Sequence, residues 1–297
     1  MGDWKLKLES ILIQELGYRK VDTEDSVYVR GDVTIVVYVD DVLMDMGSDM
    51  KEAEKARKEL ETLLPIEFKL LKEDPRFLGI KIDVNERNDG SVAVTFDQCE
   101  YASKVVQEYE ALTNKHLHHC WTPMVDKIDS DEDLEREGGH KPFVKKIIGS
   151  LLHLQRCTRG DIAYATAWLA RRADKWSRGD DLRLDRLMGY IKATANYQLN
   201  WEFKPGASKY ALITYTDSDF AGDEQSSKST SGYITILVSD TGTWATLDWG
   251  SKKQNIVCKS TGEAEIIAIM AGLVRSGYPI SCFFQETCQT TVQIENL

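Results

Sequence analysis

At 297 residues the chain can bury a sizeable core, and its length favours two domains over one. Apolar residues make up 42% and charged residues 29%, an ordinary globular composition that excludes a disordered or collagen-like chain. A net charge of −11 argues against a surface that grips nucleic acid all round, while leaving room for local basic patches.

In chain order, apolar positions from Trp4 to Leu16 predict a helix that Gly17 stops. Two strands follow within 27–46, where Val33 to Val37 runs into Tyr38-Val39-Asp40-Asp41 and Val42 to Met44 runs out. Ser48-Asp49 has the chemistry of an N-cap for a helix from Met50 to Leu64, with Ala53, Ala56 and Leu60 on one face. Segments 66–71, 77–82 and 91–96 read as strands, with the Asn88-Asp89-Gly90 turn between the last two. Gln98 to Tyr109 reads as a helix. Residues 113–141 form a polar surface connection. Its His116, His118, His119 and Cys120 lack the spacing of a structural zinc site. Ile147, Leu151 and Leu154, then Ile162, Ala165 and Leu169, recur at helical spacing within 142–198. From 199 the pattern turns to short strands at 199–203, 210–215, 232–238 and 243–249. A helix from Thr261 to Gly272 follows, and a last strand starts at Val292. The fold class expected is α+β, with units at 1–125, 126–198 and 199–297.

No apolar run is expected to span a membrane, and Met1-Gly2-Asp3-Trp4-Lys5 does not read as a signal peptide. A cytoplasmic or nuclear protein without membrane partners is the expectation. Six cysteines without regular spacing suggest reduced thiols.

Asp40 and Asp41 are the most informative pair. Side by side at a hairpin tip, two like charges are costly unless a cation neutralises them. Such a pair suits a site for hard divalent ions in phosphoryl transfer. An Asp-Asp turn is the plain alternative.

The box Tyr38-Val39-Asp40-Asp41 resembles the YxDD box of a reverse transcriptase. Further blocks narrow the resemblance to copia-type retrotransposon Pol polyproteins. They include Phe77-Leu78-Gly79-Ile80, Gln98-Cys99-Glu100-Tyr101, Ile148 to Leu154, Thr158-Arg159-Gly160-Asp161, Tyr215-Thr216-Asp217-Ser218-Asp219, Lys228 to Tyr233 and Glu263-Ala264-Glu265. Gly160 departs from the family, which usually has Pro there. The resemblance implies a palm remnant, a helical thumb-like connection and a partial ribonuclease H-like domain, truncated at both ends. It implies RNA-directed DNA polymerase and ribonuclease H activities of a transposable element that proceeds to DNA integration. Mg²⁺ or Mn²⁺ would be the cofactor. An RNA template and an RNA/DNA hybrid would be the partners.

Carried over residue by residue, Asp40 and Asp41 would hold metal, with Tyr38 supporting the primer end. Asp217 and Glu265 would hold metal in the second site, with their carboxylates within roughly 4–7 Å of each other. Glu295, followed by Asn296, would stand where the family has an aspartate. The resemblance also calls for a third polymerase aspartate on an upstream strand. Asp3, Asp22, Asp25 and Asp32 are each placed in a turn or before a helix. The chain by itself is therefore expected to be impaired. The alternative is a catalytically dead relic, serving at most as a nucleic-acid-binding or structural module.

Overall fold

The computed structural model describes residues 2–39, 41–47, 49–64, 66, 68–70, 73, 75–125, 130–223, 226–288, 290 and 292–296. It is an α+β molecule built on two sheets.

Helix α1 (Gly2–Ser10) runs into a π-helical turn at Ile11–Glu15. Gly17 then reverses the chain at φ +71°, a conformation that costs a residue without Cβ little. Strands β1 (Arg19–Lys20), β2 (Val27–Arg30), β3 (Val33–Tyr38) and β4 (Asp41–Asp45) form an antiparallel sheet in sequence order. In β3 the alternation that predicts a half-buried strand is plain: Val33, Ile35 and Val37 are buried and Tyr38 is exposed. Their core is shared with Leu8 and Leu12 and with Ala53, Ala56 and Leu60 of α2 (Met50–Leu63). Asp49 caps α2 by accepting hydrogen bonds from the Lys51 and Glu52 amides.

The strand expected at 66–71 is not formed among the described residues of that span. Its alternation is satisfied another way. Ile66 and Phe68 pack against the first core from a loop, and the Phe68 amide donates to the Glu61 carboxylate rather than to a ladder. Strands β5 (Arg76–Phe77), β6 (Ile80–Glu86) and β7 (Val92–Asp97) come next, with Gly90 at φ +79° in the β6–β7 turn.

A helical bridge follows. It comprises α3 (Cys99–Thr113), α4 (Asp131–Glu135), α5 (Val144–Cys157), α6 (Ala163–Arg172) and α7 (Arg178–Ala193). The stripes read from the sequence meet in one core, with Ile147, Leu151, Leu154, Ile162, Leu169, Leu184 and Leu187 all at 0% exposure. Asp185 is held within this bundle by Tyr109, Lys115 and His140 at 2.6, 2.6 and 3.3 Å.

The remaining strands are β8 (Leu199–Phe203), β9 (Tyr210–Asp223), β10 (Lys228–Ser239), β11 (Trp244–Lys253) and β12 (Gln293–Asn296). They join β5 to β7 in one eight-stranded sheet of order β12-β9-β10-β11-β8-β7-β6-β5. Only β12 lies parallel to its neighbour, β9. Strand β7 pairs with β8 over five positions, from Val92↔Phe203 to Phe96↔Leu199. Residues 76–97 and residues 199–296 therefore share a single sheet across the helical bridge.

Helices α8 (Thr261–Gly272) and α9 (Tyr278–Cys288), joined by a π-helical turn at Leu273–Gly277, cover one face of β9 and β10. Contrary to the sequence reading, this run is long and apolar enough by length and composition to cross a membrane. Its small residues explain its place in the fold. Ala264 and Ala268 are fully buried, and a Cβ at Gly272 would meet Thr214, Thr216 and Tyr233 at 2.7–3.3 Å. Phe283 of α9 also packs behind the first sheet against Val21, Val27 and Val29. The Asp22 amide donates to the Glu286 carboxylate at 2.7 Å, closing a contact 264 positions apart.

Candidate functional site

Two places present the carboxylates singled out above. The first is the tip of the β3–β4 hairpin. Val36↔Leu43, Val37↔Val42 and Tyr38↔Asp41 set the register, leaving a two-residue turn. Val39 in that turn has φ +54°, an uncommon conformation for a β-branched residue and a genuine local strain. The Trp4 indole Nε1 donates to the Val39 carbonyl at 3.1 Å, so α1 braces the turn. Sequence reasoning did not single out this tryptophan, since 35 positions separate it from the turn. Tyr38 is 57% exposed and Asp41 is exposed beside it; Asp40 lies outside the described residues. Lys5, next to Trp4, is exposed and makes no ion pair among the described residues.

The upstream aspartates supply no further donor on a neighbouring strand. Asp32 follows Gly31 in the turn at the opposite end of β3, and Asp25 pairs with Lys20 at 3.2 Å in the turn before β2. Among the described residues, no group of three or more His, Cys, Asp or Glu could hold a metal ion.

The second place is β9. Paired residues of neighbouring strands share a face, and residues two apart along a strand share it too. Leu212, Thr214 and Thr216 turn toward α8 and α9: Leu212 is in their core, Thr214 Oγ1 lies 3.0 Å from Thr235 Oγ1, and Ser276 donates to that Thr235. Tyr215, Asp217 and Asp219 therefore point to the other face, where all three are exposed and line a cleft of about 650 Å³. Glu265 sits on α8, one residue from the buried Ala264 and half-buried. Asp217 thus lies on the outer face of β9, and Glu265 on the helix that covers the inner face. Glu295 pairs with Ile213 and is exposed on the outer face. It lies four residues of strand, roughly 13 Å, from the level of Asp217.

The opposite wall of the cleft is the turn between α5 and α6 with the segment before β8. It includes Arg159, Gly160, Tyr164 and Tyr197. Gly160, the departure from the resembled family, has a packing cause. A Cβ there would lie 2.9–3.0 Å from the Trp249 ring, which is fixed by its Nε1 donating to the Gln155 carbonyl at 2.9 Å. The signal for this cleft was present in the sequence as the alternation Tyr215, Asp217, Asp219 against Thr214, Thr216, Ser218.

Comparison with known proteins adds the following. Residues 2–126 match the family model described as reverse transcriptase (RNA-dependent DNA polymerase). The chain is 27% identical over 276 residues to the retrovirus-related Pol polyprotein from transposon TNT 1-94 of Nicotiana tabacum, covering 89% of this chain and 19% of that one. It is 27% identical over 265 residues to a transposon Ty5-1 protein of Saccharomyces cerevisiae, covering 86% and 79% respectively. A secreted RxLR effector protein 161 of Plasmopara viticola is 34% identical over 122 residues, 41% of this chain and 80% of that one. The chain thus spans about a fifth of the tobacco polyprotein's length.

Proposed function

This chain belongs to the copia-type retrotransposon Pol polyproteins, and on that premise we propose that it is a reverse-transcriptase palm segment that engages a primer–template without extending it. The observation that carries this reading is the hairpin tip. It presents an exposed tyrosine directly across from an exposed aspartate, on a strained turn braced from α1. Tyr38 offers a ring for a base or sugar to stack on, and Lys5 a charge for a phosphate. A net charge of −11 makes that engagement weak and salt-sensitive.

Mg²⁺ or Mn²⁺ would neutralise phosphoryl oxygens if bound by Asp40 and Asp41. Asp22, Asp25 and Asp32 lie in turns away from the tip and do not supply the third carboxylate that the resemblance calls for, which supports binding without turnover.

Residues 199–297 read as a ribonuclease H-like domain. Three antiparallel strands, a helix and a fourth strand parallel to the first support this assignment. Its nuclease chemistry would need Asp217, Glu265 and Glu295 together. Asp217 on the outer face of β9, Glu265 on the helix over the inner face and Glu295 at the level of Ile213 support the alternative that this half acts as a binding or structural module.

Fluorescence anisotropy with a labelled RNA/DNA primer–template, paired with primer extension in Mg²⁺, tests the proposal. The expected result is salt-sensitive binding, weakened about fivefold by Tyr38→Ala, with no extended product. Template-dependent extension that Asp41→Asn abolishes would overturn the absence of turnover. No binding at low salt would overturn the nucleic-acid reading itself.

A further inference from the structure

We propose that the exposed face of the α8–α9 run is a dimerisation surface, occupied by a second copy of this chain packed antiparallel across it. From Ile266 to Val274 no side chain is polar, so this stretch is apolar on every side, and a helix of that kind is ordinarily enclosed. Only one side is enclosed here. Ala264, Ala268, Gly272 and Ser276 form a buried row against the sheet, where Ser276 donates to Thr235 of β10 at 2.7 Å. Ile266, Met270, Val274 and Tyr278 each stand two positions further on, about half a turn round, and are 62%, 55%, 61% and 65% exposed. The π-helical turn at Leu273–Gly277 is wider than an α-turn and offsets the drift of a four-residue step. The exposed row therefore runs as one line of about 18 Å.

The charges beside the row select the occupant and its direction. Glu263 precedes the buried Ala264, and Arg275 precedes the buried Ser276, so the two stand on the same flank at opposite ends of the row. Arg275 is exposed and makes no ion pair among the described residues. One Glu263 oxygen accepts from the Lys259 amide at 2.6 Å, and the other has no hydrogen bond among the described residues. A two-fold axis through Met270 lays two such rows antiparallel. It sets Ile266 of each copy beside Val274 of the other, and Arg275 of each beside Glu263 of the other. A parallel arrangement would leave both charges unpaired. Four large side chains, each more than half exposed, present on the order of 500 Å² of apolar surface. Two such faces bury about 1,000 Å², the lower limit of a specific interface, which suits a reversible pair rather than an obligate one.

A lipid surface is the poorer occupant. The run has the length and hydropathy of a membrane span, yet Ala264, Ala268 and Gly272 are closed against the sheet. A helix lying in a membrane interface also draws on lysine and arginine beside its apolar face. This run offers Arg275 alone, against Glu263, Glu265 and Glu286, in a chain of net charge −11. The inference does not rest on the hairpin, so a failure of primer–template binding leaves it untouched.

The test is sedimentation velocity of the whole chain over a concentration series on the order of 1 to 100 µM. A reversible monomer–dimer equilibrium is expected, with a Kd on the order of 10 µM. Met270→Glu sets two like charges at the two-fold axis and should weaken association roughly tenfold or more. Its circular dichroism melt should match that of the parent, since the side chain is exposed. Val274→Glu is the second variant and carries the same expectation. Arg275→Glu should weaken association about fivefold, and adding Glu263→Arg to it should restore the dimer. A chain monomeric throughout the series would overturn the proposal, as would a dimer indifferent to Met270→Glu and Val274→Glu. A double reversal no better than Arg275→Glu alone would overturn the antiparallel pairing. Flotation with phosphatidylcholine vesicles that Met270→Glu abolishes would overturn it in favour of a lipid surface.

Discussion

The hairpin tip and the outer face of β9 use the same parts and arrive at them by different routes. Each shows an exposed tyrosine near an exposed aspartate: Tyr38 with Asp41, and Tyr215 with Asp217. At the tip a two-residue turn places the pair across two strands. On β9 the pair lies along one strand, and what packs behind it decides which way it points. A turn carries its geometry within itself. A strand position takes its side from residues far away, so a motif on a strand can be read correctly and still face the wrong way.

The strongest attack on this contrast is at Leu212, the fully buried residue that marks the inner face of β9. Leu212→Ala should destabilise the chain by about 2–5 kcal/mol, read as a fall in the urea midpoint. A loss under about 0.5 kcal/mol, the scale of a surface change, would mean the inner face is not the one described.

Acid provides the next largest effect, through the bridge that walls the cleft. Burial pushes the Asp185 carboxyl up, but hydrogen bonds from His140, Lys115 and Tyr109 outweigh it and hold the group at about 2, below its ordinary 3.8. A carboxyl lowered on folding contributes stability above its unfolded value and loses it as pH falls toward its folded one. On the order of 2 kcal/mol should therefore disappear between about pH 4 and pH 2. Asp185→Asn should flatten that part of a stability–pH profile measured by denaturant titration. An unchanged slope would show that the bridge is not tied at this point.

The smallest effect sharpens the hairpin side. Val39→Gly should stabilise by about 1 kcal/mol, since glycine adopts a positive φ without the side-chain penalty. A lower melting temperature for this variant would show that Val39 earns its place by a contact rather than enduring strain.

How much was legible follows the same division. The β3–β4 hairpin, α2 with its Asp49 cap and the two apolar stripes of the helical bridge were all readable, because each is written in neighbours one to four residues apart. The pairing of Val94 with Trp201 was not, because no local pattern selects one partner among many exposed strand edges. The 66–71 segment misled for a related reason. Alternating apolar residues serve a loop over a core as well as a strand, and the Glu61 carboxylate took the Phe68 amide that a ladder would have used. Of the candidate site residues, Tyr38 and Asp41 sit where their pattern implies. Asp217, Glu265 and Glu295 lie on elements of the expected type. Their convergence depends on strand face and register, which spacing does not encode.

The contact between Asp22 and Glu286 gives the chain the form of a closed circuit. Phe283 seats the last long helix behind the first sheet, and the β7–β8 ladder fastens the middle of the chain across the helical bridge. A nick in the polar stretch around residues 114–125 would sever the backbone without freeing either piece. The two fragments would remain bound by a sheet ladder and a helix seat, each of which spans the cut. In a protein built this way, covalent continuity and physical continuity are separate properties. The second would outlast the first.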